Sequence, residues 1–122
     1  MLTPALADQF AAAWIAAWNA HDLDAILAHY AEDFVMSSPR IAVIAGEPSG
    51  TLHGKAAIGA YWRKALAATP ALRFELITTL LGADSVTLYY RGPRGLAAEV
   101  FFFDADHKVI RAAAHYARPT AG

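Results

Sequence analysis

One glutamate stands within an apolar stretch of the chain, and its surroundings suit proton transfer. Glu99 lies inside the run from Leu96 to Phe103, which contains no other charged residue. Because side chains alternate between the two faces of a strand, Glu99 shares a face with Phe101 and Phe103. Aromatic neighbours keep water away from a carboxyl group and raise its pKa, which suits a general acid or a hydrogen-bond donor. The competing interpretation is an ordinary carboxylate that is solvated or paired with a nearby arginine.

Other common catalytic signatures are missing from the sequence. The chain has no cysteine, which excludes a disulfide, a zinc thiolate site and a thiol nucleophile. Its histidines show no metal-binding spacing of the H-E-x-x-H type. The run Gly92-Pro93-Arg94-Gly95 lies between predicted strands and is a turn, and Ser49 does not stand in a nucleophile elbow. We therefore expect neither a metal nor a cofactor.

Length, charge and composition limit the class of protein further. The 122 residues are 57% hydrophobic, with no linker or repeat, which predicts one domain over residues 1–122. The formal net charge is −1 and the ten basic residues are scattered, so we expect no nucleic-acid partner. The first twenty residues lack the pattern of a signal peptide or a membrane span, and we expect a cytoplasmic protein without a membrane partner.

Helical periodicity dominates the first half of the chain. Thr3 and Pro4 predict a helix start, and large apolar residues then recur every four positions at Leu6, Phe10, Trp14 and Trp18. Asp22 can cap a second helix, whose apolar face consists of Leu23, Ile26, Leu27 and Tyr30. A third helix is predicted from about residue 55 to residue 68, with Ile58, Tyr61, Trp62 and Leu66 on one face.

The second half of the chain favours strands. Strands are predicted at about 72–81, 86–91, 96–103 and 108–117, after a short one at Phe34-Val35-Met36. The segment from Arg40 to His53 carries Gly46, Pro48 and Gly50, which predicts a long loop or loose hairpin that acts as a mobile flap. Helices followed by an antiparallel meander indicate an α+β fold.

Three stretches resemble the SnoaL-like proteins of the nuclear transport factor 2-like superfamily. Trp14 to Ile26 with Tyr30-Ala31-Glu32-Asp33 resembles the two opening helices, and Gly54 to Trp62 resembles the third helix. Val100 to Ile110 resembles the last hairpin. The resemblance implies a cone-shaped barrel, in which a curved antiparallel sheet packs on about three N-terminal helices. This fold hosts isomerases, dehydratases, cyclases and epoxide hydrolases, as well as members without catalysis, so the site must decide the function.

The sequence is also distantly similar to the bacterial ketosteroid isomerases, whose catalytic residues can be compared with it one by one. Aligned through the Asn-Ala-x-Asp-Leu-Asp turn, the oxyanion tyrosine of that family falls at Trp14. Its general-base aspartate, which precedes a proline after the first strand, falls at Ser38, and its protonated acid falls at Glu99, counted back from the last hairpin. Ser38 has no carboxylate that could move a proton between carbon atoms at neutral pH. We therefore do not expect ketosteroid isomerisation by that mechanism.

The resemblance implies that the face of Glu99 is the concave one and that a pocket lies inside the cone. Glu99 is the candidate catalytic residue of this pocket, and we cannot assign Tyr89 or Tyr90 to its wall from the sequence. The implied ligand is a small hydrophobic or amphipathic molecule. The residues expected to line the pocket are Trp14, Trp18, Tyr30, Phe34, Ser38, Tyr61, Trp62, Phe101, Phe103, Ala112, Ala114 and Tyr116.

Two functions stay open at this point. One is a cofactor-free, general-acid-assisted isomerase, dehydratase or cyclase, and the other is a non-catalytic dimeric binding or accessory module. A carboxylate or histidine facing Glu99 across the cavity would favour the enzyme, whereas a cavity filled by side chains would favour the module. We predict a homodimer in either case, because Val100 and Phe102 would otherwise leave an apolar patch on the convex face of the sheet.

Overall fold

The computed structural model describes residues 1–118, and this part of the chain contains four helices and six strands. Residues 119–122, which the predicted domain includes, lie outside the described residues. The helices are α1 (Pro4–Asn19), α2 (Leu23–Leu27), α3 (Pro39–Ile44) and α4 (Gly54–Ala68). The strands are β1 (Tyr30–Ser37), β2 (Thr51–His53), β3 (Glu75–Leu81), β4 (Ser85–Gly92), β5 (Gly95–Phe103) and β6 (Val109–Tyr116).

The first two helices begin where their capping residues predict. The Thr3 hydroxyl accepts a hydrogen bond from the N–H of Leu6 at 3.2 Å, and the Asp22 carboxylate caps α2. The prediction that Tyr30 lies on the second helix is wrong, since α2 ends at Leu27 and Tyr30 begins β1. The backbone explains the early end, because the carbonyl of His29 accepts a hydrogen bond from the N–H of Val109 and joins the sheet.

The segment from Arg40 to His53 is more regular than the predicted loop or loose hairpin. It contains most of α3, whose first turn is capped by the Ser38 hydroxyl, and β2, which pairs antiparallel with β1. The N–H of Ser38 donates to the carbonyl of Gly50 at 2.8 Å and closes the base of the segment. The helix was missed because its six residues are too few for a clear apolar period, although Ile41 is fully buried. The mobility of this segment stays a prediction.

The six strands form one sheet in the order β2-β1-β6-β5-β4-β3. The sheet is mixed where a wholly antiparallel one was predicted, because β1 and β6 run parallel. It curls around α1 and α4, which confirms the predicted α+β cone, and α3 is a fourth helix beyond the three expected.

Burial separates the two faces of the sheet as the strand alternation predicts. On β5, the residues Ala97, Glu99, Phe101 and Phe103 are buried, while the residues between them are half-buried. On β6, Ala112 and Ala114 are buried, and Arg111 and His115 are exposed on the convex face. The concave face therefore holds the core and anything that binds inside the cone.

Candidate active site

A cavity of about 280 Å³ opens between α1, α4 and the concave face of the sheet. Its walls are mainly aromatic and aliphatic, as is usual for pockets that bind small molecules. The residues that line it are Trp14, Trp18, Met36, Arg40, Ile44, Tyr61, Trp62, Ala65, Thr69, Leu72, Phe74, Tyr90, Gly92, Pro93, Arg94, Gly95, Ala97, Glu99 and Tyr116.

The cavity exists because small residues stand between large ones in the sheet. Ala97 on β5 is the register partner of Tyr90 on β4 and of Tyr116 on β6, so the three side chains share one row on the concave face. The alanine leaves an open space between the two tyrosine rings. Two residues deeper along β5, Glu99 follows on the same face, and the fully buried Phe101 lies beyond it.

Glu99 is the acid at the deep end of this cavity. Its side chain is 5% exposed, and its Oε1 accepts a hydrogen bond from the Tyr90 hydroxyl at 3.2 Å. Burial raises the pKa of Glu99 to about 7, and the hydrogen bond from Tyr90 opposes that rise. The prediction of an inward-facing glutamate with a raised pKa is confirmed. At neutral pH the group is therefore present both as an acid and as its conjugate base.

Two tyrosine hydroxyls, those of Tyr90 and Tyr30, lie near this acid. Burial raises the pKa of Tyr90 and of Tyr30, and the negative charge of Glu99 adds to both effects. Both phenols therefore stay protonated at neutral pH and can donate hydrogen bonds. Tyr90, which the sequence left unassigned, is the one of the two adjacent tyrosines that faces the cavity, since Tyr89 points to the other side of the sheet.

Both tryptophans of α1 line the cavity, and their indole N–H groups differ in hydrogen bonding. The indole N–H of Trp14 donates to the Tyr30 hydroxyl at 3.0 Å, so it is already engaged. The indole N–H of Trp18 is buried without a hydrogen-bond partner among residues 1–118. An unpaired buried donor costs free energy that a ligand acceptor could recover.

A loop before β3 supplies one wall, and the end of α1 holds that loop in place. Asn19 donates through Nδ2 to the carbonyl of Phe74 at 2.9 Å and accepts from its N–H at 2.7 Å. The ring of His21 hydrogen-bonds the carbonyl of Leu72 at 2.9 Å. These contacts stack Phe74 on the Trp14 indole, with ring centroids 5.5 Å apart. The turn of Asn19, Ala20 and His21 thus positions the wall.

The mouth of the cavity carries positive charge, in contrast to the acid at its deep end. Arg40 on α3 and Arg94 in the turn between β4 and β5 both line it, next to Tyr61 and Tyr116. Burial raises the pKa of Tyr61 to about 12 and also raises that of Tyr116. The positive charge of Arg40 opposes both effects, and the charge of Arg94 opposes the second. The two guanidinium groups therefore act on the same end of the cavity.

The predicted site residues divide into two groups in the structure. Those that line the cavity are Trp14, Trp18, Tyr61, Trp62, Glu99 and Tyr116. The others are buried around it: Tyr30, Phe34, Phe101, Ala112 and Ala114 belong to the core, and Ser38 caps α3. Phe103 instead lines a second, shallower pocket beside the start of α1.

Sequence reasoning missed several lining residues, and one of them carried a usable signal. The turn of Pro93 and Arg94 pairs Gly92 with Gly95, and counting back from it places Tyr90 opposite Ala97. Opposed residues of antiparallel strands share a face, so Tyr90 was predictable as a neighbour of Glu99. Arg40, Ile44, Leu72 and Phe74 carried no comparable signal, since they reach the cavity from irregular segments and a short helix.

Within residues 1–118, Glu99 is the one carboxylate that lines the cavity, and no histidine faces it. No group of three or more histidine, aspartate and glutamate side chains in this range is placed to hold a metal ion. Over the same residues, no helix has the length and apolar character needed to cross a membrane.

The sheet and the helices form an α+β cone with an aromatic cavity and a buried acid. Residues 11–118 match the SnoaL-like domain family, and the chain belongs to that family. No curated protein matches the sequence at a significant level.

Solved structures agree with this assignment. A SnoaL-like protein of unknown function from Burkholderia thailandensis E264 is 62% identical, with 95% of this chain and 98% of that chain covered and a TM-score of 0.92. The epoxide hydrolase/cyclase-like enzyme SalBIII, which has a role in pyran ring formation in the polyether salinomycin, is 19% identical over 96% and 95% of the two chains, with a TM-score of 0.76. TerC, which was co-crystallised with polyporic acid, is 16% identical over 92% of each chain, with a TM-score of 0.75. The last two likenesses show a shared fold.

Proposed function

We propose that this protein binds a small, largely apolar molecule in the cone and that Glu99 transfers a proton to an oxygen of that molecule. The reaction class is a cofactor-free isomerisation, dehydration or cyclisation. The observation that carries the proposal is the buried Glu99 carboxyl, hydrogen-bonded by Tyr90 in the wall of an open aromatic cavity.

The pair of Glu99 and Tyr90 suits a general acid. Protonated Glu99 can donate its proton to a carbonyl, hydroxyl or epoxide oxygen, and the electron pair of its O–H bond stays on the carboxylate. The Tyr90 hydroxyl then donates to a charged acceptor, and such hydrogen bonds are about twice as strong as neutral ones. Proton transfer of this kind contributes roughly 10²- to 10⁴-fold to a rate.

The open cavity supports ligand binding over a module with a filled interior. About 280 Å³ stays open among the aromatic side chains, which leaves room for a small ligand. No second carboxylate and no histidine faces Glu99 in the described lining, so in this proposal solvent or a group of the substrate takes the place of a protein base. SalBIII offers a precedent for cyclase-like chemistry in a cone of this shape.

The experiment uses 2-tetralone, an apolar bicyclic ketone, as a probe of binding and of proton transfer. Tryptophan fluorescence reports binding, and NMR in D2O reports acid-assisted exchange of the protons next to the carbonyl carbon. In Glu99→Gln the amide still donates to the ketone and accepts from Tyr90, so we expect affinity within about threefold of the native protein. Exchange should fall by at least about 10²-fold.

Ala97→Leu is the matched control, since it fills the gap between Tyr90 and Tyr116 and leaves Glu99 unchanged. We expect this variant to lose binding and exchange together. Equal exchange in the native protein and Glu99→Gln would refute the acid role. Tight binding without any exchange would leave a binding module as the function.

We also propose that the protein is a homodimer that associates through the convex face of the sheet. Leu80 on β3 is 58% exposed, and the half-buried Val100 and Phe102 lie on the same side of the sheet. Covering such a patch removes apolar surface from water, and a stable interface should exceed about 1,000 Å² in total. Light scattering should give twice the chain mass for the native protein and the single chain mass for Leu80→Lys. A native monomer at micromolar concentration would contradict the proposal.

A further inference from the structure

We infer that the ligand of the cone is an amphipathic anion, whose carboxylate binds Arg40 and Arg94 at the mouth while its apolar body lies between them and Glu99. This inference rests on the proposed function, because it names the substrate class of the same site. It adds a second polar contact, at the opposite end of the cavity from the acid.

The two arginines converge on the cavity from separate elements. Arg40 follows the Ser38 cap of α3, and Arg94 occupies the tip of the hairpin that joins β4 to β5. Both side chains line the cavity, and both charges act on the hydroxyl of Tyr116. Each guanidinium group carries a fork of N–H donors that matches a carboxylate, and the two arginines place two such groups on the lining of one cavity.

Glu99 is the one carboxylate of the described lining, and its environment is governed by burial and by Tyr90. Tyr116 lies between the arginines and the acid, because the charges of Arg40, Arg94 and Glu99 all act on its hydroxyl. A carboxylate at the mouth would meet two cations, and Glu99 in its protonated form adds no opposing charge.

The spacing between the mouth and Glu99 sets the size of the ligand. Gly95 begins β5 beside Arg94, and Glu99 follows four residues later on the same strand. A strand rises about 3.3 Å per residue, so the backbones of Gly95 and Glu99 are roughly 13 Å apart along β5. The stretch between them is lined by Ala97, Tyr90 and Trp62, which suit a flat apolar body. A two-ring aromatic acid matches that length and polarity.

The test compares two probes with the same ring system by isothermal titration calorimetry. The probes are 2-naphthylacetate and its neutral analogue 2-(2-naphthyl)ethanol, at about pH 6, where the acetate is ionised and most of Glu99 is protonated. We expect the native protein to bind the carboxylate at least about tenfold more tightly than the alcohol. High salt should reduce that ratio because it screens exposed charges.

Substitution of the arginines should remove the preference and spare the apolar contacts. We expect Arg40→Gln to weaken carboxylate binding about tenfold and Arg94→Gln, which is more exposed, about threefold, with alcohol binding unchanged. Arg91→Gln is the matched control, because Arg91 lies on the same hairpin but does not line the cavity. Thermal unfolding of each variant checks that the fold is intact.

The outcomes separate this inference from the proposed function. If both probes bind equally to the native protein, or if Arg40→Gln leaves their ratio unchanged, the inference is overturned while the acid role of Glu99 stands. If the carboxylate is preferred but Glu99→Gln leaves proton exchange unchanged, the inference stands and the acid role fails. If neither probe binds, the anion site and the proposed pocket are both refuted.

Discussion

The raised pKa of Glu99 makes a direct prediction about stability, which needs no substrate. The ordinary glutamate pKa of 4.5 describes the unfolded chain, and burial raises the pKa to about 7 in the folded protein. Between these two pH values the unfolded chain releases the proton and the folded protein keeps it. The free energy of unfolding therefore falls as pH rises from about 4.5 to about 7 and changes little from Glu99 above that range.

The size of this effect follows from the two pKa values. They differ by about 2.5, and each pKa unit corresponds to about 1.4 kcal/mol, so the loss is about 3 kcal/mol. No discount for solvent applies, because the side chain is 5% exposed. Glu99→Gln removes the ionisable group and keeps its shape and the acceptor for Tyr90.

The assay is urea unfolding of the native protein and of Glu99→Gln at about pH 5 and about pH 8. The variant should gain about 2.5 kcal/mol over the native protein between the two conditions, because part of the change lies below pH 5 and other titrating groups cancel in the comparison. Glu47→Gln is the control, because backbone hydrogen bonding by Ser49 lowers the pKa of Glu47 and any effect must have the opposite sign. A gain below about 1 kcal/mol for Glu99→Gln would refute the view that desolvation governs this carboxyl.

Two further predictions concern the aromatic wall. Trp14→Phe should lower the free energy of unfolding by at least about 1 kcal/mol more than Trp18→Phe. The first change leaves the buried Tyr30 hydroxyl without its donor, whereas the indole N–H of Trp18 has no partner to lose. Equal losses in chemical denaturation would contradict these contacts. Asn19→Ala should cost about 1–3 kcal/mol and weaken binding of 2-tetralone, since two hydrogen bonds to the backbone of Phe74 are lost. Asn19→Asp keeps the acceptor and should fall between the native protein and Asn19→Ala in both measurements; a loss as large as that of Asn19→Ala would show that the acceptor contributes nothing.

Local patterns in the sequence were enough to predict the family, the two main faces of the sheet and the acid. Alternation along β5 placed Glu99 with Phe101 and Phe103, and those side chains are buried together. Capping by Thr3 and Asp22 located the starts of two helices, because caps are local interactions between residues close in sequence. These features depend on neighbours within a few positions along the chain.

Tertiary structure alone decided the shape and polarity of the cavity. The parallel pairing of β1 with β6 depends on contacts between residues about eighty positions apart, and no local pattern encodes it. Because of the same long-range pairing, Tyr30 lies in a strand and not in the predicted helix. Two residues of α3, Arg40 and Ile44, line the cavity. Arg40 and Arg94 lie more than fifty positions apart in the sequence, and both line the cavity because the sheet curls. Side chains that converge through the curvature of a sheet have no fixed spacing in the sequence, so the acid could be predicted and its cationic counterpart could not.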